Sequence, residues 1–340
     1  MHPPELRLGI VGFADEAHLA NVLKTRRSVR WLPWAPIEAD ALWVNGENAQ
    51  PARNHVVRVP STRPDAPATL LSLKDIARPT AFALPLGNGY LTPPEVFDPR
   101  SAASIAGVLQ GFESRLRPLA AQLALAHQVG ARRYQLTSPV YHLTDGKKLL
   151  AVVDVAGRVG IDPAATPQDI ADAQWLGRPG AAADIPAHFT QVSMTQMMWQ
   201  YVMRSDEDLL PEKYRKSPIY FRRAPYIARS LLKDVHLVLL AELTASPASF
   251  EQLQQEIGLG DKALAQALGA LYYAGSITTD AQRAAQGPQT LQRRQREGEP
   301  SHASLGSAFN PPLPEARPKR AKRSLDTVPT PLEQPRRNDG

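Results

Sequence analysis

Leu6-Arg-Leu-Gly-Ile-Val-Gly12, close to the start of the chain, is a short apolar run closed by glycine. Such a run reads as a buried strand, and the residues after it, Asp15 followed by Leu19, Val22 and Leu23 at helical spacing, read as a helix. Val29–Leu32, Ala41–Val44, His55–Val59 and Ala81–Leu84 continue the rhythm of short strands. Five strands joined by crossovers predict an α/β domain with a mostly parallel sheet and right-handed connections. Any site on such a sheet is expected at the carboxyl ends of its strands. A long helix is predicted from Ala102 to Ala131, because Ile105, Val108, Leu109, Phe112, Leu116 and Leu119 recur at three- and four-residue spacing.

Beyond Pro139 the period becomes that of strands. Val140–Leu143 and Leu149–Val155 flank an Asp145-Gly146 pair suited to a type I′ hairpin, and Val159–Ile161 adds a third strand. Thr166-Pro-Gln-Asp169 combines an N-cap, a first-position proline and an acid, so a short helix is expected from there through Trp175. From Val192 the helical period returns. Met194–Tyr201, Leu231–Leu243, a helix opened by the capping box Ser249-Phe-Glu-Gln252, and Lys262–Ala274 are followed by the strand-like Ser276–Thr279. Helix, short helix, turn, helix, strand is the order of a winged-helix module. The expected organisation is an α/β domain over 1–118, a helix and small β-hairpin region over 119–190, a helical winged-helix-like module over 191–280 and a tail over 281–340.

The formal net charge of +6 is concentrated in that tail. Residues 281–340 hold 11 Lys and Arg against 6 Asp and Glu, which leaves the first 280 residues close to neutral. Rich in Pro, Ser, Gly and charge, the tail is expected to be disordered and basic, with nonspecific affinity for nucleic acid as one use. The absence of cysteine excludes disulfides, thiol nucleophiles and Cys-based zinc sites. No apolar run reaches the roughly 18 to 20 residues of a membrane span, and residues 1–20 carry Glu5, Asp15 and Glu16 where an export signal would be apolar. A cytoplasmic protein is therefore expected.

Residues 6–118 resemble the receiver domain of bacterial response regulators in a degenerate form, on the strength of LGIVGFAD at 8–15, the five-strand rhythm and the long terminal helix. The resemblance implies a flavodoxin-like fold with acids after strand one, a phosphoacceptor Asp after strand three, a hydroxyl after strand four and a Lys after strand five. Asp15 and Glu16 match the acids and Ser61 or Thr62 the hydroxyl; the phosphoacceptor position falls near Asn45 and Gly46, and Pro85 stands at that of the lysine. An amide forms no acyl phosphate, so a domain aligned this way signals by contact. Asp40, just before strand three, is the one nearby acid that could restore phosphorylation.

No catalytic constellation stands out. Gly9-Ile-Val-Gly12 lacks the third glycine of a dinucleotide fingerprint, and the eight histidines show no metal-ligand spacing. No cofactor is expected. Arg26, Arg27 and Arg30 include an Arg-x-x-x-Arg spacing that resembles the arginine half of cyclic-di-GMP-binding PilZ domains, without the downstream partner motif. Arg222 and Arg223 lie in a second cluster, interleaved with Tyr214, Phe221 and Tyr226, that suits a hinge, a protein interface or stacking on bases. The helix from Lys262 to Ala274 offers one Lys and one Gln where DNA-reading helices present several polar side chains. The first expectation is therefore a non-enzymatic regulatory adaptor that docks on protein. The alternatives are a DNA-binding regulator using the winged-helix-like module and tail, and a cyclic-dinucleotide sensor using the arginines.

Overall fold

A computed structural model describes residues 4–14, 29–52, 55–62, 67–72, 78–87, 93, 95–179 and 184–285. Asp15, Arg26 and Arg27, the helix expected around them, and the basic tail from 286 onward lie outside the described residues.

The opening run forms β1 (Glu5–Val11), which pairs in parallel with β2 (Arg30–Trp34) on one side and β3 (Ala41–Asn45) on the other. The small strands β4 (Gln50–Pro51), β5 (Val56–Val59) and β6 (Thr69–Ser72) come next and form an antiparallel sheet of their own. The chain then returns to the parallel sheet with β7 (Thr80–Ala83) and β8 (Val96–Phe97). The parallel order is β2-β1-β3-β7-β8, with a single reversal at β1. Two sequence expectations are corrected here. His55–Val59 is a strand of the inserted sheet and not the fourth parallel strand, because a β-branched run specifies extended backbone without naming its partner. The fifth parallel strand is the two-residue β8.

Side chains alternate strictly through this sheet. Leu6, Leu8, Ala41, Trp43, Ala81 and Ala83 face the helix α1 (Ala102–Ala131), meeting Ile105, Val108, Leu109 and Phe112. Val11, Leu42, Val44 and Phe82 face the other way and are covered by Val57, Val59 and Leu71 of the inserted sheet. Thus a helix covers one face and β-structure the other. The Ser101 hydroxyl caps α1 by accepting from the Ser104 N–H. At 30 residues the helix is about 45 Å long and runs unbroken past Pro118. Its second half, with Ala121, Leu125, Ala126 and Val129, packs on the next sheet.

That sheet is larger than a hairpin. β9 (Val140–Thr144), β10 (Leu149–Asp154), β11 (Arg158–Ile161), β12 (Gln174–Gly177) and β13 (Thr190–Ser193) form one antiparallel sheet in the order β12-β9-β10-β11-β13. The expected type I′ turn is a four-residue loop, 145–148. Only Gly146 has positive φ there, and the Asp145 carboxylate accepts from the N–H groups of Lys147 and Lys148. The short helix α2 (Pro167–Asp172) opens on a Thr166–Asp169 capping box and ends before Trp175, which belongs to β12.

The C-terminal part contains α3 (Met194–Val202), α4 (Lys213–Lys216), β14 (Tyr220–Phe221), α5 (Asp234–Ala245), α6 (Phe250–Ile257), α7 (Asp261–Tyr273) and β15 (Ile277–Thr278). The Ser249–Gln252 capping box starts α6, and Gly258 with φ of 72° ends it. β15 pairs with β14, which precedes the helices in sequence, so no returning wing strand follows β15 among the described residues. The helix α7 is central: Leu264, Ala265, Ala267, Leu268, Ala270 and Leu271 are all buried, packed with Trp199, Leu239, Leu243 and Leu253. No described helix is long and apolar enough to cross a membrane.

Candidate functional site

Two ends of the parallel sheet carry the residues singled out above, and they differ in character. At the carboxyl end, Gly12 closes β1 with φ of 79°, and its carbonyl accepts from Asn45 Nδ2 at 2.9 Å and from Asn48 Nδ2 at 3.2 Å. The Asn45 Oδ1 accepts in turn from the Glu47 N–H. The Gly46 N–H donates to the Ala83 carbonyl and the Gly87 N–H to the Gly46 carbonyl. Pro60 lies against Gly12, which places Ser61 beside this rim, and Pro85 lies against Gly46. The structure thus gathers Asn45, Ser61 and Pro85 at one end of the sheet. Among the described residues, this rim is bridged by its own amides.

The strand correction changes what Pro85 means. It follows β7, the fourth parallel strand, so on the receiver pattern it stands at the hydroxyl position and not at that of the lysine, and Ser61, which follows a strand of the inserted sheet, loses the hydroxyl position. The position after the fifth strand is Asp98, whose carboxylate accepts from the Arg100 N–H. A carboxylate there has the charge opposite to the lysine of the pattern.

Asp40 sits at the other end, where β3 begins. Arg204, in the segment after α3, grips it with Nη1 and Nη2 at 2.7 Å each. The Asp40 Oδ2 also accepts from the Arg7 N–H at 2.8 Å. Arg7 in turn donates Nη2 to the Met203 carbonyl and lies 4.0 Å over the Trp34 ring. Burial, with the Arg204 guanidinium beside it, lowers the Arg7 pKa, and Asp40 opposes that shift. Arg78 holds the preceding loop by donating to the carbonyls of Pro36 and Ala39. Asp40 is therefore a structural anchor between the parallel sheet and the helical part.

Beside this anchor opens a cleft of about 350 Å³ where three parts of the fold meet. Pro4, Glu5 and Arg30 line it from the amino ends of β1 and β2; Leu123, Ala124 and His127 line it from the second half of α1. Pro167, Tyr201 and the segment Arg204–Glu207 complete it. Arg30 is paired with Glu5 at 2.7 Å, directly across the β1–β2 register. His127 Nδ1 and the Tyr201 hydroxyl are hydrogen-bonded at 2.9 Å with edge-on rings. Burial, reinforced by the Glu207 carboxylate, pushes the Tyr201 phenol up to about 12.

Most of the second basic cluster is exposed, and Arg215 is its half-buried member. Arg215 bridges Asp208 at 2.7 Å and Asp261 at 2.8 Å and lies 4.5 Å over the Phe250 ring. Arg222 and Arg223 are exposed at the end of β14, where both N–H groups donate to the Ser276 carbonyl. They do not line the cleft with Arg30. The polar groups of α7 are engaged as well: Lys262 pairs with Asp206 at 2.7 Å, and Gln266 donates to the carbonyls of Val202 and Ser205.

Sequence reasoning reached one cleft residue by its own signal, Arg30. The others come from five separate stretches of chain, and none carries a motif. Among the described residues no cluster of His, Cys, Asp or Glu is arranged to hold a metal ion. Compared with known proteins, the chain matches no family model and no curated protein.

Proposed function

We propose that the protein is a non-enzymatic regulatory adaptor whose parallel-sheet part is receiver-like, incapable of phosphorylation, and active through contact with a protein partner. The observation that carries this reading is the Asn45 side chain at the carboxyl end of the central strand, holding the Gly12 carbonyl at 2.9 Å. An amide there accepts no phosphoryl group and is already tied into the rim. Support comes from Asp40, the neighbouring acid, which lies at the far end of β3 in a two-point ion pair with Arg204. The enclosure of α7 favours protein docking over DNA reading, because a recognition helix must offer a free polar face to a groove. The commitment of Arg30 to Glu5 weighs against the cyclic-dinucleotide alternative.

Incubation of the protein with acetyl phosphate and Mg²⁺, followed by intact-mass measurement, tests the reading. The expected result is an unchanged mass. A phosphoryl adduct on Asp15 or Asp40 would overturn it.

A further inference from the structure

We propose that the cleft at the junction of β1, α1 and α3 binds a small organic cation, an ammonium or guanidinium carried on a compact apolar or aromatic body. At about 350 Å³ the cleft lies at the small end of the roughly 300–1,000 Å³ range of small-molecule sites, which suits a body of one ring. Leu123 and Ala124 of α1 and Pro167 supply its apolar lining, and Tyr201 adds an aromatic ring.

The charges select the sign of the ligand. Both lining guanidiniums already have carboxylate partners, Arg30 with Glu5 and Arg204 with Asp40, each at 2.7 Å. Arg204 spends both terminal nitrogens on Asp40, and an anion approaching Arg30 meets the Glu5 carboxylate beside it. Among the lining carboxylates, Asp206 is paired with Lys262, and Glu207 has no ion-pair partner among the described residues. Glu207 lines the cleft together with Tyr201, and its carboxylate adds to the burial that raises the phenol pKa. A cation seated there gains a charge-assisted hydrogen bond to Glu207 and the π-face of Tyr201, while its apolar body covers Leu123 and Ala124. The inference goes beyond the adaptor reading and does not depend on it, since none of these residues belongs to the carboxyl rim.

The test compares three ligands with one body and different charge: 2-phenylethylammonium, 2-phenylethanol and 3-phenylpropionate. Each is titrated into the full-length protein while the amide signals of Ala124, His127 and Tyr201 are followed by NMR. Saturable binding of the ammonium ligand is expected, with the alcohol weaker and the carboxylate weakest. In Glu207→Gln, an exposed and isosteric change, ammonium binding is expected to weaken by about tenfold or more. Ala124→Leu, which enlarges a lining side chain, is expected to weaken the ammonium and the alcohol alike. The proposal is overturned if the carboxylate ligand binds most tightly, if Glu207→Gln binds the amine as well as the parent protein does, or if no saturation appears up to about 10 mM.

Discussion

Arg204 and Asp40, 164 residues apart in sequence, are joined by two parallel hydrogen bonds of 2.7 Å with both side chains largely buried. The pair fastens the amino end of β3 to the segment leaving α3, and the same carboxylate holds the Arg7 backbone. A bidentate guanidinium–carboxylate contact of this kind fixes orientation as well as distance.

Removing one member leaves the other buried without its counter-charge. Asp40→Ala also leaves Arg204 facing Arg7, two guanidiniums that already oppose each other. Each of Asp40→Ala and Arg204→Ala is expected to cost about 3–5 kcal/mol in urea unfolding, and the double variant much less than the sum. The exposed Lys262–Asp206 pair provides the contrast: Lys262→Ala is expected to cost at most about 0.5 kcal/mol. Additive effects at Asp40 and Arg204 would show that the pair does not act as a unit.

Asn45→Asp restores the acid of the receiver pattern but sets a carboxylate against the Gly12 carbonyl, which the amide now serves as donor. A loss of about 1–3 kcal/mol is expected from the lost bond and the repulsion. Equilibrium unfolding measures it, and an unchanged or raised stability would show that the rim does not depend on the amide.

His236 is fully buried against the Trp199 ring, with Nδ1 accepting from the Lys233 N–H. Burial, with the Lys233 charge adding to it, holds its pKa down to about 4. The unfolded chain takes up this proton near pH 6.5, whereas the folded chain stays neutral until about pH 4. The stability is complete above pH 6.5 and falls as the pH drops through this window, by on the order of 3 kcal/mol at its lower end. Half-buried His142, also held low by burial, adds a slope of the same sign. Between pH 5 and 6.5, above most carboxylate titrations, His236→Leu is expected to flatten the dependence of unfolding free energy on pH. An unaltered slope would place the titration elsewhere.

Local signals made much of the fold legible in the sequence. The spacing of Ile105, Val108, Leu109 and Phe112 marked α1, and Ser249 with Gln252 marked the start of α6, because helix faces and caps are written within a few residues. β1, β3 and β7 were legible because strands buried on both faces read as continuous apolar runs. Which sheet a strand joins is a long-range fact, and His55–Val59 shows it: the run reads as a strand of the parallel sheet, yet its partners are Gln50–Pro51 and Thr69–Ser72. β8, only two residues behind Pro93 and Pro94, was too short to carry a pattern. The cleft was illegible except for Arg30. Glu5, Leu123, Pro167, Tyr201 and Glu207 are ordinary residues in their local settings, and only the packing of α1 and α3 brings them together.

The most direct test of the claim that the folded part works by docking and offers nothing to nucleic acid is fluorescence anisotropy of duplex DNA at several salt concentrations. The full chain is compared with one ending at residue 285. Binding by the full chain is expected to be steeply salt-dependent and to disappear when residues 286–340 are removed, because α7 is buried along most of its length and Gln266 is bonded to the carbonyls of Val202 and Ser205. Salt-dependent binding retained by the shortened chain would contradict it and make the helical part a DNA-binding module.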